Sequence, residues 1–249
     1  LKIATLTLFP LLFEAFGGEG LFAKAVESGI VELKTLDIRD FAEDKHRTAD
    51  DIPFGGGAGM VMKPEPIVRA VESLGEEYLS AEKIIVSPRG HQFDQCEAER
   101  LSQIDRLIVI CGRYKGIDGR IPEILGAREV SIGDYVLSSG EIAALAIIDA
   151  VVRLIPGYLG DLDSAETDSH SGPNRLLSAP EYTRPREYMG HRVPEILLSG
   201  NHAAIEQWKH RQSLMLTLER RPEIIERAEL SREDIAYIEA LIKGWPNEG

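Results

Sequence analysis

Short, almost uninterrupted apolar runs alternate with amphipathic stretches through the first half of the chain. Residues 2–8, closed by Phe9-Pro10, and residues 30–36, 83–86, 106–111 and 127–132 read as strands. Residues 21–28 read as a helix stopped by Gly29, and residues 64–74 as a helix with prolines in its first turn, where a missing N–H costs nothing. The three later strands are apolar on successive positions instead of alternating ones. Such runs, each followed by a helical stretch, predict an α/β fold with a parallel sheet buried on both faces. Residues 140–154 form a long, largely apolar helix that has to be enclosed on most sides. Between about 39 and 63 the pattern lapses into a polar, glycine-rich loop.

The pattern changes after Pro156. Residues 157–180 are rich in Gly, Ser, Asp and Pro, have no period, and read as a flexible linker. Beyond them the spacing is helical. Asn201 is the expected N-cap of a helix to about Arg220, Pro222 opens a short one, and Ser231-Arg232-Glu233-Asp234 resembles a capping box opening a last helix to Lys243-Gly244. The predicted organisation is an α/β domain over residues 1–156, a linker over 157–180 and a small all-α domain over 181–249.

Composition narrows the classes. The chain has 249 residues, 43% hydrophobic and 28% charged, which is globular composition. Its two cysteines, Cys96 and Cys111, exclude a disulfide framework and a cysteine-built zinc site. No apolar stretch approaches a membrane span, and no basic-then-apolar leader opens the sequence, so a cytoplasmic protein is expected. The net charge of −13 argues against a nucleic-acid partner, but it is unevenly spread. Residues 174–249 hold 11 Lys or Arg against 12 Asp or Glu, a net of −1, leaving −12 for the remainder. Bulk charge therefore decides nothing about the C-terminal third.

Candidate chemistry sits at strand ends. Ser87-Pro88-Arg89-Gly90, Gly112-Arg113-Tyr114-Lys115-Gly116 and Gly133-Asp134-Tyr135-Val136-Leu137-Ser138-Ser139-Gly140 each follow a strand, where open parallel sheets bind ligands. One such loop reads equally well as a tight turn; three polar ones favour a pocket. It is not an ordinary nucleotide site, because neither a G-x-G-x-x-G nor a phosphate-cradling G-x-x-x-x-G-K-[ST] occurs. Gly55-Gly56-Gly57-Ala58-Gly59 is followed by Met60-Val61-Met62, which suits a loop closing over a substrate, or an irregular surface loop, better than a phosphate cradle. His46-Arg47-Thr48-Ala49-Asp50-Asp51 sets cations beside carboxylates, and the linker carries Glu166 and Asp168 among hydroxyls. Both also read as solvated charge clusters. No histidine spacing supports a metal site, and no G-x-S-x-G supports hydrolysis.

The ordered series Phe54-Gly55-Gly56-Gly57-Ala58-Gly59-Met60, Cys111-Gly112-Arg113-Tyr114 and Ser131-Ile132-Gly133-Asp134-Tyr135-Val136-Leu137 resembles bacterial tRNA (guanine-N1)-methyltransferases. Pro185, the stretch Leu197-Leu198-Ser199-Gly200-Asn201-His202 and Arg220-Arg221-Pro222-Glu223 extend the likeness over essentially the whole chain. The resemblance implies a deep trefoil knot in the α/β domain, an obligate homodimer with shared active sites, and methyl transfer from S-adenosyl-L-methionine to guanine N1 at tRNA position 37. It implies donor contacts from Val86, Ser87, Pro88, Gly112, Tyr114, Ser131, Ile132, Gly133, Asp134, Tyr135, Val136, Leu137 and Gly140. Asp168 matches the family's general base, and Arg153 its charge-stabilising arginine. RNA contacts are expected from His46, Arg47, Asp50, Gly57, Arg184, Ser199, Asn201, His202, Lys209 and Arg220. A magnesium requirement is implied by likeness alone. The chain departs from the family pattern at Lys115, where Glu is usual, and at Ser139 and Ala143.

Overall fold

Successive apolar residues in the strands are explained by a sheet that is covered on both sides. In the computed structural model, which describes residues 1–159 and 167–244, the first unit spans Leu1–Gly160 and the second Asp161–Gly249. The first unit contains β1 (Lys2–Thr7), α1 (Pro10–Gly17), α2 (Gly20–Glu27), β2 (Glu32–Asp37), a minimal antiparallel ribbon of β3 (Asp50–Asp51) and β4 (Val61–Met62), and α3 (Pro64–Glu72). Then come β5 (Glu82–Gln92), α4 (Gln95–Ser102), β6 (Arg106–Cys111), α5 (Ile121–Leu125), β7 (Arg128–Ser131) and α6 (Gly140–Val152). The sheet order is β2-β1-β6-β5-β7, with every neighbouring pair parallel.

Alternate strand residues divide between two cores. Ile3, Ile84, Leu107 and Val109 face α1, α2, α4 and α6, where Phe13, Phe22, Leu101, Ile147 and Val151 complete one layer. Ala4, Leu6, Ile85, Ile108 and Ile110 face the other side and meet Ile67 of α3 and Ile121 of α5. Each fully buried Ile, Leu or Phe contributes about 1.5–3 kcal/mol relative to exposure.

Two local features depart from the sequence reading. Pro10 does not close β1 but occupies the first turn of α1, a helix that the reading missed. β5 does not end at Val86. It leaves register with β7, loops out through residues 87–90, and re-pairs so that both Val86 and His91 lie opposite Val130. Gly90 makes this possible: a methyl group there would sit 2.3 Å from the Val130 amide nitrogen.

The second unit is built on α7 (His202–Arg220), α8 (Pro222–Ile225) and α9 (Arg232–Gly244). Local capping rules operate as read. Asn201 Oδ1 accepts from the Ala204 amide at 3.2 Å, while Ser231 Oγ and Asp234 Oδ2 exchange bonds with each other's amides, both at 3.1 Å. His210 Nε2 meets Asp234 Oδ1 at 2.7 Å, tying α7 to α9. The unit is not purely helical: Glu187–Tyr188 and His191–Arg192 form a short antiparallel ribbon, β8 and β9. Within the segment read as a linker, Asn174 bonds the backbone of Glu229, and the Leu177 amide donates to Thr217 Oγ1 at 2.9 Å. Ser164, Ala165 and Glu166 lie outside the described residues. No described helix is long and apolar enough to cross a membrane.

Candidate functional site

A cavity opens where β5 loops out of the sheet and at the carboxyl ends of β6 and β7. Its walls are residues 85–89, residues 112–117 and residues 131–140 excepting Asp134, together with Glu129 and Ala143. Twelve of the thirteen donor contacts expected from sequence therefore line one cavity: Val86, Ser87, Pro88, Gly112, Tyr114, Ser131, Ile132, Gly133, Tyr135, Val136, Leu137 and Gly140. Asp134 is the exception; its side chain is exposed and outside the lining.

The loops are joined to one another by backbone. The Gly140 amide donates to the Gly112 carbonyl at 2.9 Å, and a Cβ on Gly140 would fall 2.8 Å from the Gly112 nitrogen. The start of α6 thus rests directly on the loop after β6. Ser131 Oγ accepts from the Gly133 amide at 3.2 Å, holding the third loop against the end of β7. Tyr114 takes a left-handed conformation at φ 58°, a costly choice for an aromatic residue that the surrounding bonds have to enforce.

The glycine-rich segment belongs to this assembly. The Lys115 amide donates to the Met60 carbonyl at 3.0 Å, and the Met62 amide to the Gly116 carbonyl at 3.0 Å. Gly59 and Met60 thereby sit beside Lys115, a residue of the cavity wall. Gly57 is exposed, with φ 110°. His46 and Arg47 are also exposed; Arg47 pairs with Asp40, and Asp50 lies on β3 opposite Met62.

Below the pocket, the first turn of α6 carries a polar contact that sequence alone did not reveal. Glu141 is completely buried, accepts a bond from Thr7 Oγ1 at 2.7 Å, and does not reach the cavity. Its Oε2 has no hydrogen-bond partner among the described residues. Burial, reinforced by the Glu141 carboxyl, raises the Cys111 thiol well above its ordinary range, so this cysteine is a packing residue and not a nucleophile. Arg89 and Arg113 line it from two of the loops read as the pocket, while Glu129, on β7, lines it without having been singled out from sequence.

The remaining candidates divide between the units. Arg153 is the C-cap of α6 in the first, where its amide donates to Asp149 at 3.2 Å. Asp168 lies in the second, in a turn where its carbonyl accepts from the Ser171 amide at 3.2 Å. Arg184, Ser199, His202 and Arg220 are exposed, and Lys209 is half-buried beside Glu181 at 3.3 Å. Asn201 spends its side-chain oxygen on the α7 cap. Among the described residues no group of three or more His, Cys, Asp or Glu is placed to hold a metal ion.

These features define an α/β protein with a strand-end pocket, lined by backbone and small apolar groups, that suits a flat heterocycle better than a phosphate chain. The chain belongs to the tRNA (Guanine-1)-methyltransferase TrmD family, whose pattern matches residues 1–227. It is 49% identical over 239 residues to the tRNA (guanine-N(1)-)-methyltransferase of Desulfatibacillum aliphaticivorans, covering 96% of this chain and 90% of that protein. The proteins of the same name from Persephonella marina and a strain of Dehalococcoides mccartyi are 49% and 48% identical. The first alignment covers 98% of this chain and 95% of the relative, the second 100% of both.

Proposed function

We propose that this chain transfers a methyl group from S-adenosyl-L-methionine to the N1 nitrogen of guanine in tRNA, at position 37 beside the anticodon. The carrying observation is that the family's three loop motifs, scattered in sequence, converge on one backbone-lined cavity. The residues fit the donor's adenosine end. Gly112 and Gly140 let backbone amides and carbonyls come close, and Val86, Ile132, Val136, Leu137 and Ala143 offer apolar contacts to a ring. When bound, the donor supplies a methyl group on a positively charged sulfur. The acidic and cationic groups of the chain do the rest: Asp168 takes the proton from guanine N1, and Arg153 stabilises the charge that develops on the base. No step is routed through magnesium, for which the described residues offer no ligand group.

In this reading α6 and the residues before it form the threaded part of a deep trefoil knot. The direct seating of Gly140 on Gly112 and of Gly90 on β7 supports it. A homodimer is supported by apolar side chains left in solvent on neighbouring helices: Leu11 and Leu12 on α1, and Ile142 on α6. Residues 157–180 act as the tether carrying Asp168, and residues 181–249 dock tRNA through Arg184, His202, Lys209 and Arg220, aided by His46 and Arg47 from the first unit. Such an enzyme works in the cytoplasm.

The test is methyl transfer to tRNA transcripts carrying guanine or adenine at position 37. Only the guanine transcript is expected to accept methyl. Asp168→Asn is expected to lower turnover by about 10²–10⁴-fold, the scale of losing a general base, with S-adenosylhomocysteine still bound. Full turnover in that variant rules out the base assignment.

A further inference from the structure

The cavity's recognition surface is mostly uncharged, so its few ionic side chains have a disproportionate say in which ligand charge it prefers. Four of them line it: Arg89, Arg113, Lys115 and Glu129. Arg89 pairs with Glu129 at 3.1 Å, so those two charges offset each other. Arg113 lies with its guanidinium carbon 4.2 Å from the centre of the Phe9 ring. Lys115 has no carboxylate partner among the described residues. Its position is nevertheless set. Its amide is bonded to Met60, and its stem runs beneath Gly59, where an added methyl would meet Lys115 Cγ at 3.0 Å and Cε at 3.3 Å.

We propose that Lys115 is a specificity-determining residue which makes the cavity favour the demethylated donor over the intact one. The inference rests on the donor-pocket reading above. In the reaction the methyl carbon forms a bond to guanine N1 as its bond to sulfur breaks. The electron pair of that bond stays on sulfur, which changes from a sulfonium cation to a neutral thioether, while the N1 proton passes to the base. Donor and product are otherwise the same molecule, with identical amino, carboxylate and adenosine groups. Any attraction or repulsion between Lys115 and those shared groups cancels in the ratio of the two affinities. What remains is the repulsion between one ammonium and one sulfonium, present before transfer and gone afterwards. Lys115 thus lowers occupancy by fresh donor relative to the spent one.

The experiment is isothermal calorimetry on the full-length protein with S-adenosyl-L-methionine and with S-adenosylhomocysteine, for wild type, Lys115→Met and Lys115→Glu. Methionine keeps the length of the stem beneath Gly59 and removes the charge. For charges on the order of 10 Å apart at an exposed side chain, the ratio Kd(donor)/Kd(product) is expected to fall about two- to tenfold in Lys115→Met. It should fall further in Lys115→Glu, and both differences should shrink with added salt. A ratio identical in wild type and Lys115→Met, whatever the absolute affinities, overturns the proposal. So does weakened tRNA binding in Lys115→Met with the ratio unmoved, which reassigns Lys115 to the RNA. If wild type binds neither ligand, the donor-pocket reading falls as well.

Discussion

Replacing Thr7 by valine removes a hydroxyl that has no exposure and two partners. It donates to Glu141 Oε1 at 2.7 Å and accepts from the Phe9 amide at 2.9 Å. Valine has nearly the same volume, so no cavity opens and the whole effect is polar. Glu141 Oε2 already has no partner among the described residues, so the change strips the other oxygen of its bond as well. Orphaning a buried polar atom costs about 1–3 kcal/mol and losing a second, half-exposed bond about 1 kcal/mol more, giving roughly 2–4 kcal/mol in total. The assay has to see the right part of the chain. Neither tryptophan, Trp208 or Trp245, falls within the first unit's sequence, so neither is a probe set in β1 or α6. Amide exchange of peptides from β1 and α6, followed through a urea titration, reads the first unit directly. Adding Glu141→Met to Thr7→Val should recover part of the loss, because the double variant buries no carboxyl at all. A Thr7→Val cost below about 1 kcal/mol, or a double variant less stable than either single one, would refute the account.

Three further outcomes follow from the same geometry. Gly140→Ala puts a methyl 2.8 Å from backbone that cannot swing aside, so α6 has to shift at a cost of about 1–3 kcal/mol; S-adenosylhomocysteine affinity should fall more than tenfold, and unchanged affinity in calorimetry counts against the pocket. The hydrogen bond from Arg100, opposed by burial and helped by Arg128, holds Glu97 down to about 2. A depressed carboxylate stabilises the fold above its unfolded value of 4.5 and loses that contribution as pH falls towards about 2, so Glu97→Gln should flatten the stability profile over that window, and an unaltered slope in urea titrations at stepped pH would dispose of the idea. tRNA affinity should drop steeply with salt, and Arg220→Gln should reduce the log–log slope by about one, as measured by filter binding; a flat response removes the proposed cationic docking face.

What the sequence disclosed divides by range. The strands of the sheet and the caps of α7 and α9 were legible because their causes are local: runs of apolar residues, an Asn before a helix, a Ser three residues before an Asp. Pro10 misled because proline both ends and begins elements, and only packing against α6 decides which. The continuation of β5 was hidden because residues 87–90 look like a terminus, while the re-pairing depends on β7, some forty positions downstream. The burial of Glu141 could not be read at all. Its partner Thr7 is 134 positions away, so no local pattern shows this carboxylate sealed beneath the cavity. The ribbon at β8 and β9 involves two residues per strand, too few to carry a period.

A pocket made of backbone responds to substitution in two separable ways. Its amides and carbonyls are placed by the fold, so disturbing the Gly112–Gly140 contact weakens every ligand that shares the adenosine end and leaves their ranking alone. Its charged rim is placed by side chains, so changing Lys115 alters the ranking and leaves the shared contacts in place. Gly140→Ala and Lys115→Met are therefore complementary: the first should depress donor and product affinity by the same factor, the second should change their ratio. The reverse pattern, with Gly140→Ala moving the ratio and Lys115→Met scaling both affinities alike, would mean that the sulfur lies against the Gly112–Gly140 contact and the shared groups against Lys115, and the cavity would have to be read in the opposite orientation.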